Sequence, residues 1–280
     1  MKEIPKITID ELIKRYSVLL LDAYGVLVHS SGALEGAGEL IAELNQKGTS
    51  YFILTNDASK LPLTTSKLFQ KYGLEINPNR IITSGSLLKS YFGTHGLRGA
   101  RCIVLGPSDS VQYVKDAGGE IVPPENEFDV VVIGDEDGFS FLETVDAVLS
   151  GLFHKLDRGE KFHLVLPNPD LIYPKADNGY GITSGSIALM LEAALQLRFP
   201  GRSDMYFERL GKPHAVIYNE AIRRSGTRDM VMIGDQLETD IRGANDIGLD
   251  SALVMTGVTG AMANKLSKRL RPNYLLTSLK

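Results

Sequence analysis

The chain is poor in the features that mark secreted, membrane-spanning or nucleic-acid-binding proteins. It has one cysteine, Cys102, so no intramolecular disulfide can form. That residue sits in the apolar run Arg101–Leu105 and reads as a buried structural thiol rather than a reactive one. Met1–Lys6 lacks the long apolar stretch of a signal peptide. No window approaches the roughly 18 uninterrupted apolar residues that a membrane span needs. A formal net charge of -4 and a pI of about 5.8 argue against a nucleic-acid partner, which would want a basic face. No block of like charge implies a solvated tail or a polybasic membrane segment. These absences leave a cytoplasmic enzyme or binding protein as the expectation.

What is present is the balance of a globular protein. The 280 residues are 43% hydrophobic and 23% charged, enough for one large or two modest domains. Short apolar runs recur along the chain at Val18–Leu21, Ser50–Leu54, Ile103–Leu105, Val130–Ile133, Leu164–Leu166, Met230–Ile233 and Ala252–Met255. Runs apolar on both faces suit central strands of a parallel sheet. Helical patterns lie between them, such as Leu40, Ile41 and Leu44 ahead of Gly48, or Leu68, Phe69 and Tyr72 ahead of Gly73. Each ends at a glycine placed to stop a helix. Alternating strand and helix predicts an α/β fold. The segment Ile-Thr-Ser-Gly-Ser occurs at Ile82–Ser86 and again at Ile182–Ser186. Both copies read as helix N-termini and hint at an inserted domain flanked by similar turns.

Acids stand where an open α/β sheet binds its ligands, at the carboxyl ends of strands. Asp22 follows Val18–Leu21, Thr55, Asn56 and Asp57 follow Leu54, and Asp235 follows Gly234. One such acid alone reads equally as a helix cap; two of them with a polar Thr-Asn turn read as a site. A carboxylate of ordinary pKa near ~3.9 is ionised at neutral pH and needs no base to act as a nucleophile. Gly25 would let the backbone turn sharply after Asp22. Asp22 and Asp235 near one phosphate would repel it, so they make sense with a hard cation such as Mg2+. Asp240 is placed in the first turn of the next helix, with Thr239 as N-cap; helix-dipole stabilisation and a place behind the metal's direct ligands both fit it. Lys212, held between Gly211 and Pro213, with Pro213 opening the helix that runs to Arg224, could offset charge on the nucleophile and the phosphoryl oxygens; a lone lysine is normally a solvated surface group, so that role depends on the motif pattern.

Asp22 with Gly25 and Val26, Thr55-Asn56, Gly211-Lys212-Pro213, and Gly234-Asp235 with Thr239-Asp240 occur in the order of the four motifs of the haloacid-dehalogenase superfamily. The chain resembles its subfamily IIA branch, that of nitrophenyl phosphatases, pyridoxal phosphate phosphatases and nucleotide monophosphatases. Gly36-Ala37, Leu54–Asp57, Asn168-Pro169-Asp170 and Leu253–Val258 add to the match. The resemblance implies a Rossmann-like parallel-sheet core with a large inserted α/β cap. The core would comprise residues 1–86 and 197–280, and the cap residues 87–196. The interval from Asp22 to Thr55 is too short for an inserted domain, while that from Thr55 to Lys212 is long enough.

The resemblance also implies roles. Asp22 would attack phosphorus and form an aspartyl-phosphate. Mg2+ would be held by Asp22, the backbone carbonyl of Tyr24 and Asp235. The Thr55 hydroxyl, the Asn56 backbone amide and Lys212 would hold the transferring phosphoryl group. The substrate would be a small phosphorylated metabolite: a sugar phosphate, a nucleotide or an aryl phosphate. Cap loops would read the leaving group, with Asn168–Pro174 and Lys175–Tyr180 as candidates, although ordinary loop chemistry would give the same composition. A homodimer through the cap is a further expectation.

Val130–Gly134 followed by Asp135, Glu136 and Asp137 imitates the fourth motif. It precedes Gly-Lys-Pro, falls inside the expected cap and has Ser140 where a second acid should stand, so it reads as a solvated loop. The departure that matters is Tyr24, where phosphatases of this family usually carry an aspartate as general acid and base. A tyrosine of ordinary pKa near ~10 is a poor base at neutral pH. Substrates with good leaving groups, a replacement acid or a phosphometabolite-binding relative with little catalysis would each account for it. The sequence Asp-Ala-Tyr-Gly also opens 2-haloacid dehalogenases; the short first interval and the intact Gly234–Asp240 motif oppose that reading.

Overall fold

A computed structural model describes residues 3–29, 31–175, 179–254 and 266–280. In chain order the elements begin with β1 (Lys6–Ile7), α1 (Ile9–Arg15), β2 (Val18–Asp22), β3 (Val28–His29), β4 (Gly32–Ala33), α2 (Ala37–Gln46), β5 (Ser50–Thr55), α3 (Pro62–Lys71) and β6 (Ile81–Thr83). Next come α4 (Leu88–His95), β7 (Arg101–Leu105), α5 (Ser108–Asp116), β8 (Glu120–Ile121), β9 (Val130–Ile133), α6 (Phe141–Asp157) and β10 (His163–Leu166). They are followed by β11 (Ile172–Pro174), β12 (Tyr180–Ile182), α7 (Ser184–Arg198) and β13 (Glu208–Arg209). The last are α8 (Ala215–Ser225), β14 (Met230–Gly234), α9 (Arg242–Asp246), β15 (Asp250–Val254) and β16 (Tyr274–Leu276).

The chain divides into two units, Met1–Thr55 with Pro62–Thr83 and Lys212–Lys280, and Asn56–Leu61 with Ser84–Gly211. The first unit carries a seven-stranded sheet in the order β1-β16-β15-β14-β2-β5-β6. Every pairing in it is parallel. Parallel strands are covered on both faces, which is why β2 and β14 are buried at every position. Leu19, Leu21, Ile53, Val231 and Ile233 interleave with the α2 stripe of Leu40, Ile41 and Leu44 in one apolar cluster. The helical pattern ahead of Gly73 is α3, with Phe69 buried.

The second unit has its own parallel sheet, in the order β13-β10-β9-β7-β8. Its core joins Val131 and Ile133 to Val148 and Leu152 of α6, Leu191 of α7 and Phe207. The α/β fold with a parallel core sheet and a second, inserted parallel sheet is as expected. The expected boundaries need correction. Residues 197–211 belong with the second unit because β13 pairs with β10 and Met205 and Phe207 pack in its core. Residues 56–61 belong there too. The first Ile-Thr-Ser-Gly-Ser copy does straddle a change of unit, after Thr83, but the second lies wholly inside the second unit and opens α7.

Cys102 is fully buried, and burial pushes its thiol up to about 12, so it is inert as a nucleophile. Among the described residues no helix is long and apolar enough to cross a membrane. Residues 176–178 of the loop 175–180, and 255–258 of the run 253–258, lie outside the described residues. Phe207 is 2% exposed; Phe207→Ala should cost about 3–5 kcal/mol. Amide-exchange protection should fall across β9 and β10 while β2 and β14 keep theirs, and loss in the first sheet alone would contradict the assignment of residues 197–211.

Candidate active site

Strand β2 is where the order of the seven-stranded sheet reverses, with β5 and β6 on one side and β14, β15 and β16 on the other. Ligands of open parallel sheets bind at the carboxyl ends of strands at such a point. Asp22 is the last residue of β2 and pairs with Leu54 of β5. Thr55 ends β5, and Asp235 follows the last residue of β14. Two glycines let the backbone close on these acids. Gly25 has φ +89°, and a Cβ there would lie 2.2 Å from Asp235 Oδ2. A Cβ on Gly234 would lie 2.3 Å from Asp240 Cβ.

Lys212 is the cation at the centre. Its Nζ donates to Asp22 Oδ1 at 2.5 Å and to Asp240 Oδ1 at 2.7 Å. The three residues are 3%, 5% and 0% exposed. Asp240 lies in a π-turn, Leu237–Ile241, and its other oxygen accepts the Gln236 N–H at 3.2 Å. Burial alone would lower the Lys212 pKa, but the carboxylates of Asp22 and Asp240 outweigh it and hold the ammonium above its ordinary value. Burial pushes Asp22 well above the carboxylate range; Lys212 opposes this, while Asp240 and Asp235 add to it. Burial and then Asp240 push Asp235 up to about 6.

Three carboxylates thus face one ammonium. Asp22, Asp235 and Asp240 each offer an oxygen within 4.8 Å of the others, and Asp235 Oδ1 is buried with no hydrogen-bond partner. An orphaned carboxylate oxygen in a cluster short of positive charge fits a divalent cation. An all-oxygen donor set suits a hard ion such as Mg2+. Asp240 is committed to Lys212 and the Gln236 amide, so Asp22 and Asp235 are the carboxylates that fit direct ligation.

Comparison with known proteins gives the chain's family. A family model described as haloacid dehalogenase-like hydrolase matches residues 19–120, and a second, HAD-hydrolase-like, matches residues 209–280. The chain belongs to the haloacid dehalogenase-like hydrolases. Its relatives are of the subfamily IIA type. It is 25% identical to an acid sugar phosphatase of Staphylococcus aureus over 95% of this chain and 96% of that protein. It is 29% identical to a structure described as a possible sugar phosphatase of this superfamily from Cytophaga hutchinsonii, with TM-score 0.83 and 99% of each chain covered. A glycerol phosphate phosphatase from Mycobacterium tuberculosis solved with calcium aligns with TM-score 0.81 at 25% identity, over 96% of this chain and 75% of that one. The same enzyme solved with magnesium aligns at 24% identity with TM-score 0.80, over 96% and 76%.

Within this hydrolase fold the first unit holds Asp22, Tyr24, Thr55, Lys212, Asp235 and Asp240. Asn56 falls in the second unit, and its side chain donates to Asp170 Oδ1 at 2.9 Å. The Tyr24 side chain is 46% exposed, and its backbone bridges to Val28. Thr55 is buried at the end of its strand. Three local expectations change. Pro213 does not open α8: the Lys212–Pro213 peptide is cis, and the helix starts at Ala215 with His214 as its N-cap. Thr239 is no cap, since its hydroxyl donates to the Gln236 side chain within the π-turn. Asp240 is fully buried and paired with Lys212, which a dipole role would not require. Tyr218 was not singled out from the sequence: its hydroxyl donates to the carbonyls of Thr239 and Asp240 at 3.1 Å each. Its place in the apolar stripe of α8 reads as packing, and nothing in that spacing marks the hydroxyl.

The imitation motif lies in the second unit, as expected, on β9. Asp135 and Glu136 are partly buried and Asp137 exposed. Burial, then Asp135, pushes Glu136 up to about 8. Among the described residues the triad that can gather on a metal is Asp22, Asp235 and Asp240. Mg2+ at about a hundred times its Kd should stabilise the fold by about 2.7 kcal/mol, read as a rise in Tm that EDTA reverses. Asp235→Asn should lose that rise; an unchanged rise would place the ion elsewhere.

Proposed function

We propose that the chain is a Mg2+-dependent phosphatase that hydrolyses a small phosphorylated metabolite through an aspartyl-phosphate. The observation that carries this reading is the buried Lys212 ammonium bound to Asp22 beside the orphaned oxygen of Asp235. The ammonium opposes the protonation of the nucleophile that burial and the neighbouring carboxylates favour, and a cation held by Asp22 and Asp235 would oppose it further. An oxygen of Asp22 bonds to phosphorus as the bond to the leaving oxygen breaks; water then hydrolyses the acyl phosphate and frees inorganic phosphate. Asp22, the Tyr24 carbonyl and Asp235 would hold Mg2+, which when bound supplies charge to neutralise the phosphoryl oxygens. Lys212 and Thr55, with the Asn56 backbone amide, hold the transferring group and stabilise the charge that develops on it. The curated relatives named as acid sugar phosphatases and the structure described as a possible sugar phosphatase favour a phosphorylated sugar or polyol over a nucleotide.

Tyr24 stands where an acid would protonate the leaving alcohol. Without that acid, turnover should favour leaving groups that depart as stable anions. General acid–base help is commonly worth about 10²–10⁴-fold. Tyr24→Asp should therefore raise kcat for an alkyl phosphate, such as a sugar phosphate, well beyond its effect on nitrophenyl phosphate. Equal effects on both would show that another group already supplies the proton.

The reading itself is tested with nitrophenyl phosphate and Mg2+. Turnover should be metal-dependent and fall at least about 10³-fold in Asp22→Asn. Tight metabolite binding without turnover would make the chain a binding relative. Metal-independent halide release from a 2-haloacid would overturn the phosphatase reading.

A further inference from the structure

The Asn168–Asp170 turn resembles a substrate-reading loop in sequence, and several of its polar groups are engaged within the second unit. Asp170 Oδ1 accepts from Asn56 Nδ2 at 2.9 Å. The Asp170 N–H donates to Asn168 Oδ1 at 3.0 Å. The Asp170 carbonyl accepts the Gly185 N–H at 3.0 Å and also the Thr183 hydroxyl. Gly185 fits only as glycine, because a Cβ there would lie 2.4 Å from that carbonyl oxygen. The turn is therefore pinned to the first residues of α7 and spends its carboxylate on Asn56.

Asn56 is itself a hub, 6% exposed. Its carbonyl accepts the Ser84 hydroxyl at 2.6 Å. Its side-chain oxygen packs so close to Gly211 that a Cβ on the glycine would lie 2.5 Å away. The Gly211 N–H donates to the Pro167 carbonyl at 2.9 Å, just ahead of the same turn. Asn56, Ser84 and Gly211 share one property: each is the residue of the second unit at which the chain changes unit. Asn56 follows Thr55, and Gly211 precedes Lys212. Three crossings of the chain thus meet at one buried amide, and Asp170 is the charged group that orients it.

We propose that Asp170 is a positioning residue: through Asn56 it clasps the chain crossings next to Thr55 and Lys212, and so sets the spacing of the two groups that hold phosphate. The proposal rests on the phosphatase reading for what Thr55 and Lys212 bind. It assigns Asp170 to the phosphoryl group common to every substrate rather than to the leaving group. A carboxylate accepting from a buried amide is the stronger form of hydrogen bond, and Asn at 170 would keep the acceptor while losing the charge.

The experiment measures inorganic phosphate as a competitive inhibitor, KM and kcat for nitrophenyl phosphate and a sugar phosphate, and Tm, all with Mg2+ present. Asp170→Ala should raise the phosphate inhibition constant and both KM values by about tenfold alike. Asp170→Asn should restore most of the loss. Asn56→Asp should be as damaging as Asp170→Ala, because two carboxylates would then face each other. The swap Asn56→Asp with Asp170→Asn should recover phosphate affinity by restoring the pair in reverse, a non-additivity that independent sites do not show. A KM change confined to the sugar phosphate, with phosphate inhibition untouched, would make Asp170 a leaving-group reader and overturn the proposal. A lower Tm with unchanged KM and phosphate inhibition would reduce it to a fold contact and overturn it as well. If Asp170→Ala does not fold, failure of the swap to recover phosphate affinity decides against it. If the wild-type chain shows neither turnover nor phosphate binding, the phosphatase reading falls and this inference with it. A wild type that binds phosphate beside an Asp170→Ala that binds equally well refutes the clasp alone.

Discussion

The buried ammonium of Lys212 is the contact on which the rest of the site depends. It lies between Asp22 and Asp240, each within hydrogen-bond distance and each almost wholly removed from water. Burying these charges is costly unless every member is paired, and removing one partner of such a group typically costs about 3–5 kcal/mol. The surroundings follow from that requirement. Gly234 has no side chain because Asp240 occupies the space. The Gln236 amide takes the second Asp240 oxygen, and the Tyr218 hydroxyl engages the carbonyls of the turn that carries it. Asp22 and then Asp240 keep the lysine charged, and Asp240 is the partner committed on both oxygens, to Lys212 and to the Gln236 amide.

The same pairing bears on how Asp22, the proposed nucleophile, tolerates its burial. Desolvation favours its neutral form, which would be useless for attack, and the adjacent ammonium opposes this. A divalent ion against Asp235 would complete the balance that three carboxylates and one lysine leave unfinished. In the proposed reaction the attacking group Asp22 and its partner Lys212 both lie in the first unit. The half that moves a proton to the leaving group has Tyr24 in place of the usual acid.

In the proposed role of Asp170, the second unit bears on this chemistry through the chain crossings. Thr55 and Lys212 are the first unit's residues at two of the chain crossings. The residues just beyond them, Asn56 and Gly211, are drawn together beside the Asn168–Asp170 turn. If Asp170 acts as proposed, a loop of the inserted unit bears on phosphate binding without needing to touch the substrate.

The fold class was legible because fully apolar runs such as Val18–Leu21 and Met230–Ile233 admit little besides central parallel strands. The acids at their ends had no packing reason to be there. Asp22 and Asp235, with the polar turn at Thr55, could be named on that ground, while Lys212 was named through the four motifs in order, which made the family resemblance specific. Local chemistry and spacing are carried by the sequence itself. The remaining features were decided by contacts between residues distant in the chain. Asp240 read equally as a helix-dipole group until Lys212 was seen against it. Tyr218 looked like one more apolar stripe position. Residues 197–211 looked like core until β13 paired with β10. In each case a side chain or strand is compatible with several partners, and only the folded chain selects one. By itself the sequence determined that Asp22 ends an apolar strand as a carboxylate; the tertiary structure determined that a buried lysine, itself held by Asp240, is bonded to it.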